Sequence, residues 1–239
     1  DRRDACRQPA AAAAADGTCL VWSVEKDLGI TIDGDLNFEE HISRKIRVAN
    51  GIVGQIRRSF SYLDGETFRR LYCAFVRPHL EYGQAIWSPH LKRNINRLEN
   101  VQVRATKLVD GLAKLDYPER LKRLNLPTLA HRRERGDMME MYKHFYTYDK
   151  CTLPSTFNPR SRETRTHNFQ LLTTRPRDGD RGIQTNFFYH RSARVWNNLP
   201  ENVVKSKTIN AFKNSLDEYW KNNPSIYDHT THETIDDEE

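Results

Sequence analysis

The chain has 239 residues, of which 37% are hydrophobic, enough to bury a substantial core and too many for a solvated, unfolded polymer. No run approaches the ~18 apolar residues of a membrane span and no signal peptide is apparent, which points to an intracellular protein, nuclear or cytoplasmic, neither secreted nor membrane-bound. The formal charge of +6 understates its basic surface: residues 222–239 hold six acids and no Lys or Arg, so the remainder sets 38 bases against 26 acids. A basic body of that kind favours a polyphosphate partner, because each neutralised phosphate releases condensed counterions. The same charge also describes a soluble basic protein without such a partner.

Residues 1–22, with Arg2, Arg3, Pro9 and six alanines from Ala10 to Ala15, carry no periodic or targeting pattern and read as an unstructured or artefactual N-terminus. Cys6, Cys19, Cys73 and Cys151 lack Cys-x-x-Cys spacing, so reduced thiols are expected and no zinc site is visible. Over 23–36, the β-branched Ile30, Thr31 and Ile32 ahead of Asp33-Gly34-Asp35 predict a strand or hairpin remnant. A lone strand is unstable, so this one is expected to be loosely held.

Phe38, Ile42, Ile46, Ala49, Val53, Ile56 and Phe60 recur every three or four residues and predict a long helix, with Asn37 and Glu40 as a capping pair. A second helix is expected over 65–76, capped by Asp64, burying Phe68, Leu71, Tyr72, Phe75 and Val76, and broken or kinked by Pro78. A third, from about 91, places Leu91, Ile95, Leu98, Val101, Ala105 and Leu108 on one side. Its other faces carry Lys92, Arg93, Arg97, Arg104 and Lys107, and at about 100° per residue Arg93, Arg97 and Arg104 can address one phosphate track. A solvated charged face would look the same. Arg44, Lys45, Arg57 and Arg58 on the first helix share that ambiguity.

A short helix around 119–124 leads through Pro127 to another over 129–146, whose Met138, Met141, Tyr142 and Phe145 read as core. Residues 147–182, with three prolines and six arginines (Arg160, Arg162, Arg165, Arg175, Arg177 and Arg181), predict a long basic loop or linker, in which Phe169, Leu171 and Leu172 suggest one short strand. A small helical unit over 183–222 comes next, with helices near 187–197 and 209–220, and then an acidic, disordered tail over 223–239.

Several of these segments carry motifs in a fixed order. Asp27-Leu28-Gly29-Ile30-Thr31-Ile32-Asp33 is followed by Glu40-His41-Ile42, Arg77-Pro78-His79-Leu80-Glu81-Tyr82-Gly83 and Trp87-Ser88-Pro89. Val101-Gln102-Val103-Arg104-Ala105, Tyr117-Pro118-Glu119-Arg120-Leu121 and Arg132-Arg133 come next. Phe187-Phe188 to Arg191, Trp196-Asn197-Asn198-Leu199-Pro200 and Phe212-Lys213 close the series. The set resembles the thumb and post-thumb region of non-LTR retrotransposon reverse transcriptases of the jockey-like kind, which are RNA-directed DNA polymerases.

The resemblance implies a mostly α chain: thumb and connection helices over 37–146, preceded by the end of the palm at 23–36. Leu28 and Gly29 would lie on the strand that holds the primer end. Partners would be RNA and DNA, above all an RNA–DNA duplex, together with the palm and fingers of the parent polymerase. Magnesium would belong to that parent's carboxylates, with no cofactor in this chain. Its Tyr-x-Asp-Asp turn is expected to lie upstream, so the chain alone should be inactive. Asp236-Asp237 reads as part of a solvated tail, His229-x-x-His232-Glu233 matches no helical zinc motif, and Asp178-Gly179-Asp180 sits in a turn-forming context. A different reading is a non-catalytic structural or adaptor protein, a decayed or co-opted element without specific nucleic-acid binding.

Overall fold

A computed structural model describes residues 24–34, 36–146, 169–171 and 187–228. The expectations for residues 1–22 and the tail past 228, Cys6, Cys19 and Cys151, the two acidic pairs and the six loop arginines lie outside the described residues. The described part is mostly helical, with a two-stranded antiparallel sheet at its start.

Val24–Asp27 (β1) and Ile30–Asp33 (β2) pair with Val24 opposite Asp33 and Asp27 opposite Ile30. Leu28 and Gly29 have φ of 45° and 81°, a two-residue turn that suits the right-handed twist of its strands. Leu28 and Gly29 are therefore at a hairpin tip and not on a strand, which corrects the expectation from sequence. Gly29 admits the left-handed backbone, and Ile30-Thr31-Ile32 then pairs back on the preceding residues.

The hairpin is also pinned, not loosely held. Ile30 is buried, the Thr31 N–H donates to His41 Nδ1 (3.0 Å), and the Tyr82 hydroxyl donates to the Leu28 carbonyl (3.0 Å).

Glu39–Ser59 (α1) starts from Phe38, whose φ is 54° and whose side chain cannot cap. The expected Asn37–Glu40 cap does not form: Phe38 takes the N-cap position, and the Asn37 N–H donates to Asp33 Oδ1 (2.8 Å). Glu39 and Glu40 instead place their charge against the helix dipole. Ile42, Ala49 and Ile56 of the predicted stripe are buried.

Asp64 caps Gly65–Leu71 (α2) as expected, accepting from Glu66 and Thr67 N–H groups (2.9 and 3.0 Å). Pro78 does not end the helical run. A π-helical turn, Tyr72–Val76, leads directly into Arg77–Glu81 (α3), with the Arg77 N–H donating to the Tyr72 carbonyl five residues back. The wider turn absorbs one extra residue just before a proline that lacks an N–H. It also rotates the pattern: Phe68, Tyr72, Val76 and Leu80 are buried at spacings of four, and Phe75, expected in the core, is 57% exposed.

Gln84–Trp87 (α4) seats Trp87 fully inside, and Lys92–Thr106 (α5), Tyr117–Leu124 (α6) and Leu129–Tyr146 (α7) complete the first unit. After residues 169–171 come Phe188–Asn197 (α8), Glu201–Val204 (α9) and Ile209–Trp220 (α10).

Two apolar cores result. The first joins the hairpin, α1 to α6 and Leu129; the second joins Met138, Met141 and Tyr142 with Leu171, Trp196, Phe212, Leu216 and Trp220. Helix α7 serves both, its first turn in one and its later turns in the other.

Candidate nucleic-acid interface

Helices α1 and α5 lie side by side and run in the same direction. Glu39 accepts from Arg93 and Arg97, Ser43 Oγ lies 2.7 Å from Arg97 Nη2, and Ile46 shares a groove of about 280 Å³ with Arg97, Asn100 and Arg104. Each helix presents one stripe to this groove. On α1, Ser43, Ile46, Asn50, Val53 and Arg57 fall within about 40° of Glu39; on α5, Arg97, Asn100, Arg104 and Lys107 fall within about 40° of Arg93. Both stripes repeat at 4-3-4-3 spacing. Arg57 and Lys107, the last members of the two stripes, are exposed.

The charges are unevenly distributed along it. At the first end Glu39 is held below the usual carboxylate range by the Asn94 amide (2.8 Å) and by Arg97 and Arg93 beside it. At the other, Arg104 Nε donates to the carbonyl of Asn100 on its own helix (3.1 Å). The groove therefore offers guanidinium and amide donors with a single acid at its edge, a surface chemically suited to a row of phosphates.

The remaining sequence-predicted cations are not brought to this groove. Arg44 and Arg58 stand about 140° and 100° away from Glu39 around α1, on the solvent face. Lys45 turns the other way, its ammonium 5.4 Å from the Tyr82 ring, with its pKa lowered by burial and by Arg44 and Lys26. Lys92 is about 100° from Arg93 on α5. Leu28, with its side chain 79% exposed, sits at the hairpin tip over Tyr82. Ser43, Asn50, Asn100 and Glu39 were missed from sequence, where the shared 4-3-4-3 repeat on two helices was the available signal; Asn94 lies off that repeat and had none.

Many motif residues turn out to be joints of the fold. Glu81 accepts from Arg132 Nε and Nη2 (2.9 Å for the latter), and Gln84 Nε2 donates to the Arg133 carbonyl (3.0 Å). Gly83, at φ 67°, is pressed so close that a Cβ would lie 2.8 Å from Ile30 Cδ1. Within the first core, the Tyr72 hydroxyl donates to Gln102 Oε1 (2.8 Å), and Gln102 Nε2 donates to the Tyr117 hydroxyl and the Pro127 carbonyl (3.0 Å each). Tyr117 in turn donates to Glu99, whose carboxylate accepts the Leu129 N–H (3.0 Å) and so caps α7. Burial and the Glu99 charge push the Tyr117 phenol far up, so it stays protonated as the donor. In the second core, Trp196 Nε1 donates to the Phe169 carbonyl (3.0 Å), and Asn197 holds Leu171 through both its N–H (2.8 Å) and its carbonyl (3.0 Å).

Among the described residues no group of three or more His, Cys, Asp or Glu side chains is placed to hold a metal ion. No described helix is long and apolar enough to cross a membrane.

No family model matches the chain, and no solved structure does. Among curated proteins, the uncharacterized protein B0403.1 of Caenorhabditis elegans is 29% identical over 117 residues, which are 48% of this chain. The matched region spans 59% of that relative's length.

Proposed function

We propose that this chain is the nucleic-acid-gripping part of a retrotransposon reverse transcriptase, holding an RNA–DNA duplex by its phosphates while the polymerising centre lies elsewhere in the parent protein. The observation that carries the reading is the parallel α1–α5 groove, where Arg97 and Arg104 meet Asn100 across from Ile46. Arg93, Arg57 and Lys107 extend the same line. Contacts of this kind position a duplex without reading its sequence. The ordered motifs of the chain support the same family.

The test is affinity for two RNA–DNA hybrids of unrelated sequence. Arg104→Ala with Lys107→Ala should weaken both to the same degree. Loss confined to one sequence, or no loss, counts against the reading.

A structural or adaptor role is the second reading, and one observation favours it: Glu81, Gln102, Arg132, Arg191 and Asn197, all within the motifs, are engaged in holding the fold together. The two separate cleanly, since an adaptor would bind neither hybrid.

A further inference from the structure

The β hairpin has one covered edge and one open edge. Around its two-residue turn Asp27 and Ile30 bond to each other, so the next pair, Lys26 and Thr31, points its backbone N–H and C=O groups outward. On the β2 side these groups are answered within the fold: the Thr31 N–H donates to His41 Nδ1 (3.0 Å), and the Asp33 carbonyl accepts the Leu36 N–H (3.0 Å). On the β1 side the outward N–H and C=O of Lys26 meet no partner among the described residues, and Glu25, Lys26 and Asp27 are exposed. We propose that this open edge of β1 takes up an extended, antiparallel strand of a partner protein, in which one acidic residue stands between two basic ones. The inference does not rest on nucleic-acid binding, since none of the residues lining the α1–α5 groove lies on β1.

Three observations converge. First, the edge is a preformed template. Buried Ile30, the His41 bond to Thr31 and the Tyr82 bond to Leu28 already hold the hairpin, so an incoming strand does not have to order it. Lys26 and, two residues back, Val24 turn the same backbone groups outward, and unpaired groups of this kind recruit a further strand.

Second, the charges on the edge itself set the chemistry of the partner. They read Glu25, Lys26, Asp27, and none of the three is in an ion pair among the described residues. In an antiparallel strand the residue opposite Lys26 shares its face of the sheet, and the two neighbours of that residue lie opposite Asp27 and Glu25 on the other face. An acid between two bases therefore meets an opposite charge at each position. Lys26 is not an isolated cation: the Lys45 pKa is lowered by burial and then by Arg44 and Lys26, which strengthens the preference for an acid here.

Third, a second copy of the chain does not fit. Outward-facing residues must meet, which leaves two registers that overlap β1 by more than one residue. Either Lys26 meets Lys26 with Glu25 opposite Asp27, or Lys26 meets Val24 with Glu25 opposite Glu25. Both set like charges face to face.

The test titrates the full chain into a fluorescein-labelled peptide of about nine residues, alternating threonine and valine around a central Lys-Glu-Lys. One control peptide has Glu-Lys-Glu at its centre. A second carries N-methyl groups on the central glutamate and on the residues two positions to either side, whose amides would face β1. The first peptide should bind at least about tenfold more tightly than either control. Lys26→Pro should lower that affinity about tenfold. Its N–H points away from β2, so the hairpin keeps its ladder, which an unchanged unfolding midpoint checks. Glu25→Lys with Asp27→Lys leaves the backbone edge intact and should invert the preference in favour of the Glu-Lys-Glu peptide. Equal binding of the peptides, indifference to Lys26→Pro, an unchanged preference in the double lysine variant, or no saturable binding at about 1 mM peptide overturns the proposal. A dimer in sedimentation that Lys26→Pro abolishes would make a second copy the occupant, and displacement of the peptide by an RNA–DNA duplex would make it nucleic acid; either result also overturns it.

Discussion

Arg191 of α8 grips Asp137 of α7 with two nitrogens, Nε to Oδ2 at 2.8 Å and Nη2 to Oδ1 at 3.1 Å, and its Nη2 also donates to the Ala85 carbonyl of α4 (3.0 Å). One side chain thus ties the second core to the first. Burial raises the Asp137 pKa, and the Arg191 charge and hydrogen bonds work against that rise.

Arg191→Ala is therefore expected to destabilise the chain by about 3–5 kcal/mol, because it leaves a buried carboxylate and a carbonyl without their donor. Asp137→Asn, which keeps the shape, should cost less, and the double variant Arg191→Ala with Asp137→Asn should cost less than the sum. Urea unfolding of the three variants checks this. A loss for Arg191→Ala below about 1 kcal/mol would mean the pair is not a joint of the fold.

How far the sequence anticipates this architecture depends on the scale of the signal. Ile42, Ala49 and Ile56, or Phe212, Leu216 and Trp220, announce their helices because burial at a regular period leaves few other arrangements. Phe75 misleads because a single π turn shifts the register, and nothing in composition marks it. Leu28 misleads because a left-handed leucine is uncommon and only its partner strand reveals the turn. For the groove, α5 showed its arginine stripe in sequence, but that Glu39 would face Arg93 and Arg97 is a matter of tertiary register between residues more than fifty positions apart.

His41 sets a pH dependence. Its Nδ1 accepts the Thr31 N–H, its ring lies 5.2 Å from that of Trp87, and burial, with Lys45 and Arg44 nearby, pushes its pKa down to about 4. The unfolded chain, with a histidine near 6.5, binds the proton more readily than the folded one. Stability from this group is thus complete above about pH 6.5 and lost as pH falls toward 4, by about 3 kcal/mol at the limit. Glu134, pushed up to about 7 by burial and Asp137, acts in the opposite sense over about pH 7 to 4.5. The difference between the parent chain and His41→Gln isolates the histidine. That difference in unfolding free energy should shrink from about pH 7 to about pH 4.5. A constant difference would place His41 in contact with water.

Glu39 should restrain nucleic-acid binding, since it occupies Arg93 and Arg97. Glu39→Gln is expected to raise affinity for an RNA–DNA duplex several-fold at low salt and to steepen the salt dependence by about 0.9 for every additional phosphate neutralised. Its stability cost should stay within about 1 kcal/mol, because the pairs are half-exposed. Fluorescence anisotropy measures the affinity. An unchanged or weaker affinity would show that these arginines do not face the duplex.

A phosphate-gripping groove between α1 and α5 is tested most directly by the slope of log affinity against log salt for an RNA–DNA duplex. The comparison is between the parent chain and the variant carrying Arg93→Ala, Arg97→Ala, Arg104→Ala and Lys107→Ala. The slope should flatten by about 0.9 for each phosphate left without its cation, alike for every duplex sequence. Restoring Arg104 and Lys107 should recover more of it than restoring Arg93 and Arg97, which Glu39 already engages. An unchanged slope in a variant with intact circular dichroism would contradict the groove's role and leave the α5 cations as a solvated surface.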